Sequence, residues 1–170
     1  GGQDRFFQYI KGFGFGQKTG VQLPGELAGK VHHVDDWRDV TMSRVAIGYT
    51  ISVTPLQITM AMAAIANGGR LMQPMIIDRI EYPDGKVMSH YDPHMVHQVM
   101  TNESTRDIIK AMTQVVGNKG TARRAKLDDY TVAGKTGTAR KIVDGRYTHS
   151  KHLASFVGFL PAESPEICIS

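Results

Sequence analysis

The sequence predicts an α+β chain, and three observations predict it. Helical signals, meaning caps and apolar residues three or four apart, occur at 4–12, 54–67 and 101–117. Runs of β-favouring residues at 75–91 and from 130 onward are separated by Asp84-Gly85, Asp144-Gly145 and Pro161 to Pro165. Apolar residues make up 41% and charged residues 21%, which are globular proportions and exclude a disordered tail.

In the first helix Phe6, Phe7 and Ile10 fall on one face, with Asp4 as N-cap and Gly12 as the stop. Residues 14–30 are rich in glycine and turn residues and read as an extended loop, and residues 31–49 read as largely irregular. The second helix opens with Thr54 as N-cap, Pro55 at N1 and Gln57 at N3, a capping box with the preferred proline. It runs through Ile58, Met62 and Ile65 to Asn67-Gly68-Gly69, and its alanines allow close packing. Met75 to Tyr82 and Lys86 to Tyr91 read as a hairpin around Pro83-Asp84-Gly85. The third helix begins at Thr101 to Ser104, presents Ile108, Ile109, Met112, Val115 and Val116, and stops at Gly117. A basic connector follows, and then three strands: Tyr130 to Lys141, Lys151 to Leu160, and Glu166 onward. The last of these reads as a strand cut short, and both ends of the chain read as truncated.

Composition narrows the function classes. Cys168 is the sole cysteine, which excludes a disulfide scaffold. The most apolar stretch, Ile58 to Ala66, falls far short of the ~18 residues that span a bilayer. A net charge of +4 is mild and dispersed, and no aromatics interleave with Arg123, Arg124 and Lys126, so no nucleic-acid partner is expected.

Chemistry concentrates in Val132-Ala133-Gly134-Lys135-Thr136-Gly137-Thr138-Ala139. Gly134-Lys135-Thr136 matches the end of a phosphate-binding loop, but that loop needs glycine where Asp129 stands and a helix starting at the lysine, which Gly137 interrupts. As a strand the segment makes better sense. Thr136 and Thr138 then share a face, where two hydroxyls can hold a carboxylate. Lys135 adds a positive charge, Gly137 permits close backbone approach, and an edge strand can pair with an extended peptide.

This segment resembles the K-T-G motif of class B penicillin-binding proteins. Further stretches resemble the same family in order: Phe13 to Gly16 with Leu23-Pro24-Gly25-Glu26, Ile47-Gly48 with Ile51 to Gln57, Ala66 to Gly69, Gly120-Thr121-Ala122, and Ala154 to Phe159 with Pro161-Ala162. The Ile51-Ser52-Val53 and Ala154-Ser155-Phe156 variants resemble the division-type (septal) branch. The resemblance implies a partial penicillin-binding protein or serine β-lactamase-like transpeptidase fold, an antiparallel sheet flanked by helices, with residues 1–170 as the C-terminal part of one transpeptidase domain. It implies a D,D-transpeptidase that cross-links peptidoglycan through an acyl-serine and binds β-lactams. The expected partners are peptidoglycan stem peptides, β-lactam antibiotics and, for the parent protein, divisome membrane proteins. No cofactor and no metal are expected. The expected location is the bacterial cell envelope, with a periplasmic catalytic domain and a membrane anchor outside this chain.

By the same resemblance Lys135 and Thr138 are the catalytic candidates, the backbone N–H of Thr138 being one oxyanion-hole donor. Thr136, Gly137 and Thr138 are the candidates for substrate binding. The family's nucleophile lies in S-x-x-K, and none of Ser43, Ser52, Ser89, Ser104, Ser150, Ser155 and Ser164 has lysine three positions on. The 170 residues therefore hold no nucleophile, and alone they are expected to be inactive and to fold poorly. A D,D-carboxypeptidase, a β-lactam sensor and a non-catalytic binding module are the alternatives.

Other signals read as bland. His32-His33-Val34-Asp35-Asp36 has zinc-ligand chemistry on a loop but reads as solvated, and His94 and His97 read as surface residues. Met60, Met62, Met72 and Met75 read as core, and Cys168 as buried and inert. Trp37 and Tyr49 either border a substrate groove or fill core gaps.

Overall fold

The structure is a computed structural model that describes residues 2–143 and 146–170, so the expected Asp144-Gly145 turn lies outside the described residues. Helix α1 spans Gly2–Gly12 and places Asp4 inside its first turn, so Asp4 is not the N-cap that the sequence predicts. Ile10 is its buried residue, while Phe6 and Phe7 meet Trp37 edge-on. The 31–49 stretch is less irregular than expected. A 3-10 turn at Val34–Asp36 is followed by α2, Thr41–Ala46. Six residues are too few to show a helical period, and Val40 at the N-cap offers no side-chain bond.

Helix α3, Pro55–Ala66, forms as predicted. Thr54 accepts from the Gln57 amide, and the Gln57 side chain accepts from the Thr54 amide. Gly68 and Gly69 then take positive φ and end it. Helix α4, Asn102–Val116, is capped by Thr101, whose hydroxyl accepts from the Ser104 amide.

Two short strands escaped the sequence pattern. β1, Arg70–Met72, pairs antiparallel with β4, Met95–Gln98, directly after α3. The predicted hairpin is present but shorter: β2 is Arg79–Glu81 and β3 is Val87–His90. Its turn runs as predicted through Pro83, Asp84 and Gly85, with the Gly85 amide donating to Tyr82 and φ of 84° at Gly85. Residues 75–78 do not join β2, because the Ile76 and Ile77 amides donate to the Gln22 side chain instead. Met75 is exposed rather than core.

The main sheet has strand order β5-β6-β7, with β5 at Ala133–Val143, β6 at Arg146–Leu160 and β7 at Ile167–Ile169. All pairs are antiparallel. Ala133 faces Phe159 across the β5–β6 ladder, and both are wholly buried. They form a core with Met62 of α3, Met112 of α4 and Ala162. Burying a side chain the size of Phe159 stabilises by about 1.5–3 kcal/mol. Val132, one residue earlier and so on the opposite face, packs with Val116 and Ala122 beside Phe156 and Leu160. β5 is thus fixed at its start from both sides and is free to project beyond the core.

Candidate active site

The K-T-G segment occupies the part of β5 just past that core. The ladder is regular here: Lys135 pairs with Val157, Thr136 with Phe156, Gly137 with Ser155 and Thr138 with Ala154. Strand alternation puts Thr136 and Thr138 on one face, as the sequence predicts. Among the described residues β5 has a neighbour on one side only, so its outer edge is open for an extended chain.

The side chains differ in how they are held. Thr136 is half-buried, and its hydroxyl lies 2.9 Å from that of Thr121. Thr138 is exposed, and among the described residues its hydroxyl makes no hydrogen bond. Lys135 is exposed and donates from Nζ to the Thr136 carbonyl at 2.7 Å. That contact curls the ammonium back towards the carbonyl beside it.

Two glycines explain the shape of the strand. A Cβ on Gly134 would collide with the ring of Phe156, which lies across the strand. A Cβ on Gly137 would come within 2.5 Å of Ser155 Oγ. The space at Gly137 therefore admits the hydroxyl of its paired residue, whereas the sequence reading reserved it for an approaching backbone.

Thr121 is the site residue whose role the sequence reading missed. It follows α4 by way of Gly117 and Gly120. The Ala122 amide donates to the Val115 carbonyl at 2.9 Å, folding the chain back over the helix end. A Cβ on Gly120 would overlap that same carbonyl, so glycine is required for the return. The Gly120-Thr121 spacing was the available signal.

Other candidates sit elsewhere. Trp37 packs on α1, whereas Tyr49 lines a cleft with Arg44, Ile47, Thr50 and Arg140 beside β5. His33 pairs with Asp35 at 3.0 Å and meets Phe7 edge-on. Among the described residues no three or more His, Cys, Asp or Glu side chains converge to hold a metal ion. His97 is exposed, and its ring Nε2–H donates to the Gly12 carbonyl at 2.8 Å, tying β4 to the end of α1. Cys168 is half-buried, not fully buried as expected; it donates to the Thr59 carbonyl, and burial pushes its thiol pKa up.

The family model described as "Penicillin binding protein transpeptidase domain" matches residues 1–170. This chain belongs to that transpeptidase family. Among curated relatives it is 40% identical over 169 residues to stage V sporulation protein D of Bacillus subtilis, covering 99% of this chain and 26% of that protein. It is 35% identical to penicillin-binding protein PbpB of Mycobacterium tuberculosis, again covering 99% of this chain and 26% of that protein. The chain thus spans about a quarter of the length of these relatives. Among solved structures, penicillin-binding protein 3 of M. tuberculosis complexed with aztreonam matches with a TM-score of 0.92 and 34% identity. That match covers 98% of this chain and 39% of the other. The transpeptidase domain of Burkholderia pseudomallei penicillin-binding protein 3 matches with a TM-score of 0.84 and 31% identity, over 98% of this chain and 48% of the other. The mixed helical and antiparallel architecture is that of penicillin-binding transpeptidase domains.

Proposed function

We propose that this chain forms one wall of the active site of a peptidoglycan D,D-transpeptidase. The observation that carries the reading is the open outer edge of β5, with Thr136 and Thr138 on one face, Gly137 between them and Lys135 directly before them. A stem peptide ending in D-Ala-D-Ala pairs along that edge. Its terminal carboxylate is held by the hydroxyls of Thr136 and Thr138, with the charge of Lys135 beside them. The Thr138 backbone N–H stabilises the oxyanion that forms at the penultimate D-Ala carbonyl. Gly137 keeps the strand flush against β6, so that this N–H and the two hydroxyls stay in line.

The reaction needs a serine supplied by chain outside these 170 residues. That serine attacks the penultimate carbonyl, terminal D-Ala leaves, and the acyl group passes to an amine on a neighbouring stem. A β-lactam enters the same route, with its carboxylate at Thr136 and Thr138. The reading places the whole protein in the bacterial cell envelope, with the catalytic domain periplasmic and the anchor elsewhere in sequence. The Ile51-Ser52-Val53 and Ala154-Ser155-Phe156 variants support a division-type, septal role with divisome membrane proteins as partners.

Fluorescent penicillin, read by gel and by intact mass, tests this on the 170-residue chain and on the full-length protein. Labelling of the full-length protein alone is the expected result. If neither labels, the protein is a non-catalytic binding module and the proposal fails.

A further inference from the structure

The β2–β3 hairpin stands apart from the rest of the fold. Among the described residues its two strands pair only with each other, and every residue from 79 to 90 is exposed except Ser89. Among the described residues, too, the hydrogen bonds and ion pairs of 79–90 stay within 78–92. A two-stranded sheet with both faces in water is marginal, and further strands are what stabilise it.

The outer edge of β2 is the side that can take such a strand. The Tyr82 amide donates to the Lys86 carbonyl at 2.9 Å, and the Asp78 carbonyl accepts from the Tyr91 amide at 2.8 Å. Residues 78, 80 and 82 therefore turn their backbone groups inward, and Arg79 and Glu81 turn theirs outward. These two outward residues carry opposite charges, with Ile80 between them. They pair with each other at the surface, and Arg79 also meets Asp78 at 3.1 Å. Exposed pairs of this kind contribute little, so sharing them with a new neighbour loses little.

We propose that the β2 edge pairs antiparallel with the same edge of a second copy of this chain. With Ile80 on the two-fold axis, Arg79 lies opposite Glu81 of the second copy, and Glu81 lies opposite its Arg79. Both pairs exchange their backbone hydrogen bonds and set unlike charges directly opposite each other. Ile80 meets Ile80 of the second copy in a non-hydrogen-bonded pair, and the two hairpins become one continuous sheet. Centring the pairing on Arg79 or on Glu81 instead sets like charges face to face, so the charges fix the register. The β3 edge is not self-complementary in this way: centred on Ser89 it sets Met88 opposite His90. So short a strand buries little surface, and the contact is accordingly weak and reversible. The proposal is independent of the transpeptidase reading.

Disulfide trapping tests it on the purified full-length protein. In a non-hydrogen-bonded pair the Cα atoms stand about 4.5 Å apart, within disulfide reach. Lys86, exposed in the same hairpin, would lie three strand spacings, about 14 Å, from its copy. Ile80→Cys and Lys86→Cys proteins are oxidised at micromolar concentration and read by non-reducing gel and intact mass. Ile80→Cys is expected to form a disulfide-linked dimer about tenfold faster than Lys86→Cys. Adding Arg79→Glu to Ile80→Cys sets glutamate opposite glutamate in both pairs and should slow cross-linking about tenfold. Adding Glu81→Arg as well reverses both charges and should restore the rate. Ile80→Cys protein that cross-links no faster than Lys86→Cys overturns the proposal. So does a cysteine at 80 that closes a disulfide within its own chain, because another segment of the protein then covers the edge. A charge-swapped variant that stays as slow as Arg79→Glu alone overturns it too, since the charges then do not set the pairing.

Discussion

The Thr121 and Thr136 hydroxyls lie 2.9 Å apart, joining the loop after α4 to the site strand. Three structural steps produce this contact: α4 ends at Gly117, Gly120 allows the chain to double back, and Ala122 is pinned to Val115. The bond restricts the rotation of the Thr136 hydroxyl before any ligand arrives.

Thr121→Val keeps the shape and removes that partner. A single neutral hydrogen bond is worth about 1 kcal/mol net, or roughly fivefold. Penicillin acylation of the full-length protein should therefore slow about fivefold at subsaturating penicillin, and Thr121→Ser should restore it. An unchanged rate in the valine variant would show that the contact does nothing for binding.

Gly137 and Ser155 make a sharper pair. Alanine at 137 would bring its Cβ within 2.5 Å of Ser155 Oγ, while the next atom of Ser155 is 3.9 Å away. The clash is thus with one oxygen. Gly137→Ala should cost about 1–3 kcal/mol of stability, as overpacking does. Ser155→Ala in the same chain should recover most of that loss, a non-additivity that a double-mutant cycle in urea measures directly. Additive losses would mean that Gly137 serves backbone conformation and not space for Ser155.

The legible parts of this molecule were those governed by local rules. Thr54, Pro55 and Gln57 announce α3 because a capping box is decided within four residues. Thr136 and Thr138 announce their shared face because alternation is a property of any strand. β1 and β4 were not legible: each is only three or four residues long, and they find each other across the 22 residues between Met72 and Met95. Met75, Ile76 and Ile77 read as the start of a strand, yet the side-chain Oε1 of Gln22 accepts from the Ile76 and Ile77 amides, a tertiary choice that no local pattern encodes. The Thr121–Thr136 bond was invisible for the same reason. The sequence showed the loop and the strand but not their meeting.

Gln57 illustrates a residue with two roles, one local and one tertiary. Beyond the capping box its Nε2 donates to the carbonyls of Gln17 at 2.6 Å and Ala28 at 2.8 Å, and the residue is 1% exposed. It holds the 14–30 loop against α3. Gln57→Leu fills the space and leaves the Gln17 and Ala28 carbonyls without their donor. The expected loss is about 3 kcal/mol in urea unfolding, with hydrogen exchange of the 14–30 segment accelerated. A variant as stable as wild type would mean that water replaces the amide.

Glu26 closes that same loop from its other end, and it gives the loop a pH dependence. Burial pulls its pKa upward, but the Thr19 hydroxyl and the Thr19 and Gly20 amides donate to its carboxylate and outweigh burial, holding the pKa below its ordinary 4.5. A carboxyl with a lowered folded pKa stabilises fully above its unfolded value, and that contribution disappears as pH falls through the folded value. The loop should therefore stay closed down to about pH 4.5 and open below it. The Thr19 and Gly20 amide protons, followed by NMR from about pH 7 to 3, should move together with one midpoint below 4.5. In Glu26→Gln that shared transition should vanish, with the loop already loosened at neutral pH because the amide oxygen accepts more weakly than a carboxylate. A midpoint at or above 4.5 in the wild type would place the carboxylate outside the Thr19 turn and sink the prediction.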